Sequence, residues 1–212
     1  ITSGNNVSVT DSGALILGAS SVSGTLDITV GGALTQSGAL SVTGVATIAA
    51  GSGNNITLSN AGNDFGTVAI TSGNNVVLRD SGALELGEST VSGTFGVTVG
   101  GALTQSGALS VTGVTTLVAG ANDVTLEDSG NNFGTVVITS GNNVSVTDSG
   151  ALILGASSVS GTFGVTVGGA LTQSGAVSVT GVATIVADVN DVTLSNAGNN
   201  FGTVAITSGN NV

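Results

Sequence analysis

The chain has 212 residues and a formal net charge of −11, and Arg79 is its only basic residue. That balance repels a phosphate backbone and an anionic membrane surface, which counts against nucleic acid or such a surface as partner. Without Cys, His or Lys there are no disulfides and no thiolate chemistry, and no catalytic base except carboxylates. Hydrophobic residues make up 40% and charged residues 6%, so the sparse charge does not signal disorder, which needs low hydrophobicity as well. Glycine is abundant (36 residues) and proline absent, which suits a chain that turns constantly but needs nearly every backbone N–H for pairing. No apolar run approaches the roughly 20 residues of a membrane-spanning helix, and no signal peptide is evident.

The first seven residues, Ile1–Val7 (ITSGNNV), return word for word at Ile70–Val76, Ile138–Val144 and Ile206–Val212. They divide the chain into repeats 1–69, 70–137 and 138–205 with a partial 206–212, read as one continuous segment of a longer array. Within each repeat a shorter pattern recurs: a glycine, an alternating apolar strand, then a polar or glycine turn. Ser21–Gly32, Ser41–Ser52 and Asn63–Asn74 are its first three copies. The marker glycines are Gly24, Gly44, Gly66, Gly93, Gly113, Gly134, Gly161, Gly181 and Gly202, spaced by 20, 22, 27, 20, 21, 27, 20 and 21 residues.

Period-two alternation assigns the faces. It places Val68, Ile70, Val76, Leu78, Phe95, Val97 and Val99 inside, and Thr67, Ala69, Thr71, Val77, Arg79, Thr94 and Thr98 outside. The repeating unit is a whole coil rather than a hairpin, which favours a parallel β-helix over an antiparallel sandwich. The expected fold is therefore all-β, a β-solenoid with about three coils of 20–27 residues per repeat. Nine to ten coils at about 4.8 Å give a rod roughly 45 Å long. The longest coil carries extra sequence at Asp80–Ser89, placed as a short strand or bulge on one side. The single insertion near Gly51–Gly53 marks a surface corner.

GNN, NAGND-type and DSG sequences recur at fixed places, as at Gly73–Asn75, Asn60–Asp64 and Asp80–Gly82. Turn formation explains them better than Ca2+, because Asn and Asp interchange freely and calcium needs six to eight oxygens in one place. Gln36, Gln105 and Gln173 share the context ALTQSGA. Alternation points them inward as a stacked amide column, whereas a register change at the flanking glycines would leave them exposed. Phe65, Phe133, Phe201, Phe95 and Phe163 are core fillers, with Leu26 standing where Phe95 and Phe163 recur. No catalytic, cofactor-binding or metal-binding residue emerges: carboxylate pairs such as Glu127–Asp128 are Ser–Asn in the other repeats.

In ALTQSGALSVTG, DSGALILGASSVSG and NAGNDFGTVAIT the chain resembles the β-strand repeats of giant bacterial surface proteins, filamentous-haemagglutinin-like exoproteins and related adhesins. The resemblance covers the whole chain. It implies a right-handed parallel β-helix, export through the envelope as an unfolded chain, and an extracellular or cell-surface stalk, fibre or sheath. The expected partners are other copies, end-to-end or side-by-side. Repeats that bind host, glycan or matrix surfaces are a second expectation. An ice- or mineral-ordering face, which would need a regular outward threonine array, is a third.

Overall fold

The computed structural model describes residues 1–212. All 23 regular elements are β-strands, there is no helix, and every strand pairing is parallel. The strands form two sheets, of thirteen and ten strands, that face each other across one core. The chain winds from one sheet to the other and back, so each strand lies on the one laid down a coil earlier. On the thirteen-stranded sheet Val7 pairs Leu26, Leu26 pairs Ala46, and Ala46 pairs Val68. On the ten-stranded sheet Leu34 pairs Ile56, Ile56 pairs Val76, and Val76 pairs Phe95. The protein is a parallel β-solenoid of about ten turns.

The register gives shorter, more even coils than the glycine spacings suggest. They run from 18 residues (Thr67 beneath Glu85) to 23 (Val42 beneath Phe65). The 27-residue interval from Gly66 to Gly93 is one coil and a half, because it begins on the thirteen-stranded sheet and ends on the other. A repeat therefore spans about three and a half coils. Equivalent strands of successive repeats fall on alternate sheets: Val7–Asp11 and Val144–Asp148 on the thirteen-stranded one, Val76–Arg79 on the ten-stranded one. The extra sequence at Asp80–Ser89 supplies strand Leu84–Leu86, which forms a full side of a coil.

Six of the nine marker glycines sit where long strands bend, and Gly24, Gly93 and Gly161 lie in the turns between short strands. Strand Leu40–Ala49 keeps Leu40, Val42, Ala46 and Ile48 buried on one parity and turns at Gly44 between them. There the backbones of successive coils approach closely: Gly44 N–H donates to Gly24 C=O (3.0 Å), and Gly24 N–H to Asn5 C=O (3.0 Å). A Cβ on Gly44 would lie 2.6 Å from the Gly24 carbonyl oxygen, so glycine is demanded by space rather than by backbone angle.

The core is a single cluster of 49 buried apolar residues running the length of the rod. Phe65, Phe95, Phe133 and Phe163 are buried in it, with Leu26 in the expected matching place. Alternation is obeyed on both sheets: Val76 and Leu78 are buried, Val77 and Arg79 exposed. The inserted residue of the first repeat lies in the exposed turn after Ala50, where Gly51 takes a positive φ of 80°. The third repeat places Asp188 (φ 49°) where the second has Gly120 (φ 61°).

Candidate functional site

The polar side chains that recur with the repeat are engaged mainly in holding coil to coil. The most elaborate arrangement joins each glutamine to an asparagine farther along. Gln36 Nε2 donates to Asn63 Oδ1 (2.8 Å) and Asn63 Nδ2 donates back to Gln36 Oε1 (2.9 Å). The buried Asn63 also accepts the Leu40 N–H (2.9 Å) and donates to Leu58 C=O (3.1 Å), while Gln36 donates to Gly38 C=O (2.7 Å). The same clasp forms at Gln105–Asn131 and Gln173–Asn199. Neither sequence expectation for the glutamines describes this. They are half-buried, and they cannot stack on one another because Gln36 and Gln173 lie on one sheet and Gln105 on the other.

The DSG aspartates do more than make turns. Asp80 Oδ1 accepts the Gly82 N–H (2.7 Å), the expected local turn bond. Its Oδ2 reaches the preceding coil and accepts the Phe65 N–H (2.6 Å). Asp148 repeats this with Gly150 (2.8 Å) and Phe133 (2.6 Å). Burial pushes both carboxyls above the usual carboxylate value, against the lowering effect of the two N–H donors. Buried Ser89 and Ser157 act similarly, accepting the Ile70 and Ile138 N–H while donating to Gly87 and Gly155. Thr115 is the exception: its Oγ1 is buried with no partner, at a position held by Ala46 and Ala183 in the other repeats.

At one corner Asn or Asp side chains form a ladder. Asn55 Oδ1 accepts from Asn75 N–H (3.2 Å), and Asn75 Oδ1 accepts from Thr94 N–H (3.0 Å). In the later repeats Asp123 and Asp191 take the place of Asn55, each receiving the backbone and side-chain N–H groups of the asparagines above. The Asn143 backbone N–H, foremost, holds Asp123 below the usual value, and the Asn211 side chain does so for Asp191. No group of three or more His, Cys, Asp or Glu is placed to hold a metal.

On the outside, Thr67, Glu85, Thr104, Thr125, Ser145, Gly164 and Thr184 form one column, so threonine does not recur on every coil. Glu127 accepts a hydrogen bond from Ser145 one coil on, a neighbour its chain position does not reveal. A wholly apolar recess lies at the C-terminal end of the rod, lined by Val192, Leu194, Phe201, Val204, Ile206 and Val212. Sequence reasoning located the glutamines and the turn aspartates. It missed Asn63 and Asn131 as interior clasps because their partners lie 26–27 residues away, more than one coil back along the chain.

A family model described as repeats of unknown function (DUF5649) matches residues 4–72, 73–140 and 141–208, the periodicity of the ITSGNNV marks with boundaries three residues later. No curated protein and no solved structure matches the chain. With three consecutive matches covering nearly its whole length, the chain belongs to the DUF5649 repeat family.

Proposed function

We propose that the chain is a structural repeat segment of an extracellular or bacterial cell-surface protein, a stiff spacer within a stalk, fibre or sheath. One observation carries this reading. The polar groups that recur inside the rod (the Gln–Asn clasps, the Asp carboxylates, the serines) are used up in bonds between successive coils. Such chemistry makes a longer rod when repeats are added, and each repeat of three and a half coils adds about 17 Å. The likeness of ALTQSGALSVTG and NAGNDFGTVAIT to the repeats of filamentous-haemagglutinin-like exoproteins supports the surface location. The absence of cysteine is compatible with export as an unfolded chain that then folds by nearest-neighbour stacking.

The test is to image the purified chain while screening it against glycans, matrix proteins and intact cells. A spacer gives rods about 45–50 Å long and no saturable binding. Saturable, competable binding to one ligand class would transfer the function to adhesion.

A further inference from the structure

The repeats differ from one another according to the face on which their residues fall. Because of the half-coil offset, an outward position of the second repeat lies on the opposite sheet from its counterparts in the first and third. On the ten-stranded sheet Val77 replaces Ser8 and Ser145 of the other sheet, and Val137 replaces Ala69 and Ala205. Where the second repeat lands on the thirteen-stranded sheet the substitution runs the other way: Glu85 stands there, and Ile153 holds the same place on the ten-stranded sheet. Gly96 on the ten-stranded sheet matches Asp27 on the other, with Gly164 unchanged. The strands of the ten-stranded sheet hold no carboxylate, and Arg79 is their only charged residue, whereas Asp27, Asp64 and Glu85 lie on the outside of the thirteen-stranded sheet. We infer that the outer face of the ten-stranded sheet is an interface with a second copy of this chain, two rods lying side by side with these like faces together. This rests on the scaffold reading and names the face through which scaffolds bundle.

The face runs along the side of the rod and owes nothing to either end. Thr57, Val77, Gly96, Thr116 and Val137 stand in register as one outward column. Val114, Thr135, Ile153 and Thr172 form a second beside it, and Arg79 and Thr98 a third. Val77 (42%), Val114 (37%) and Ile153 (39%) stay exposed although coils lie on both sides of them. Ten strands at about 4.8 Å and three columns about 6.8 Å apart make a face of about 45 by 17 Å. That is about 750 Å², close to the roughly 800 Å² that each partner contributes to a stable interface. Charge selects the occupant. Two thirteen-stranded faces would bring Asp27, Asp64 and Glu85 of both copies together in a chain already at −11. A mixed contact would bury Asp27 and Glu85 against threonine and valine, with Arg79 the only counter-charge. Two ten-stranded faces meet with valine and isoleucine side chains between them, and the threonine hydroxyls, each donor and acceptor, pair across the contact. Such a contact sets one patch against itself and closes at two rods.

The experiment is sedimentation velocity with electron microscopy on the full chain, with circular dichroism confirming the β signal of each variant. The wild type gives a concentration-dependent dimer of one chain length and doubled width. Ile153→Glu installs the residue that the second repeat carries at this place on the other sheet, so the fold accommodates it, and it lowers the association constant at least tenfold. Thr116→Glu does the same, while Thr47→Glu, the identical change at the equivalent position of the thirteen-stranded sheet, leaves the dimer intact. In this cysteine-free chain, Thr116→Cys near mid-rod is joined to its copy by a short bifunctional maleimide, and Thr47→Cys is not. Single chains at every concentration, dimers that lengthen the rod instead of widening it, or equal effects of Thr116→Glu and Thr47→Glu would each overturn the inference. A lone rod that binds no ligand would leave the scaffold reading standing without this face.

Discussion

Thr115 shows how strictly the interior accounts for polar atoms. It is wholly buried, pairs in register with Phe95 on one side and Val136 on the other, and has an unpartnered hydroxyl. Thr115→Val removes the unsatisfied oxygen and keeps the shape, and is expected to raise stability by about 1 kcal/mol in denaturant unfolding. The clasp residues behave oppositely. Asn63→Leu strands the Leu40 N–H, the Leu58 carbonyl and the Gln36 amide at once, and is expected to cost about 3 kcal/mol. Adding Gln36→Leu should cost much less than the sum of the two single changes, because the residues act as a pair. From sequence, Asn63 was a turn former like any other asparagine. Its partner is visible only once the next coil is known to lie over Gln36, with Thr57 paired to Thr35.

At the scale of the strand, alternation was legible because one face is buried on every coil: Val76 and Leu78 inward, Val77 and Arg79 outward needed no tertiary knowledge. The coil count was less legible. Marker glycines occur only where the backbones of successive coils approach closely at a corner, and straight sides such as Leu84–Leu86 carry no such mark. The eye therefore merges one and a half coils into one. The bend itself is testable. Gly44→Ala places a methyl 2.6 Å from the Gly24 carbonyl oxygen, and the ladder must open to admit it, at a cost of about 1–3 kcal/mol. Gly53→Ala, where a methyl meets nothing within 4 Å, should change the unfolding midpoint little.

For the whole molecule, charge sets the response to pH. Burial raises the Asp80 and Asp148 carboxyls above 3.8, so the folded state binds protons more readily there than the unfolded chain. Their contribution is fully present below 3.8 and is lost as pH rises through the raised folded values. Self-repulsion at net charge −11 weakens the compact state in the same direction. Asp123 and Asp191 have the opposite sign but are fully exposed and screened. The thermal midpoint should therefore rise between about pH 8 and pH 4, and salt should narrow the difference. A midpoint that falls steadily on acidification would contradict this.

The half-coil offset between repeats is the feature on which coil length and sheet alternation both depend. A cysteine-free chain lets it be measured directly, with spin labels on introduced cysteines at the equivalent outward positions Ser8, Val77 and Ser145. Ser8 and Ser145 lie on one face, seven coils or about 34 Å apart, with Val77 midway along the axis on the opposite sheet. The 8–77 and 77–145 distances should be nearly equal, and their sum should clearly exceed the 8–145 distance. If the two shorter distances instead add up to the longest, all three labels lie on one face, the repeats contain whole coils, and the offset is wrong.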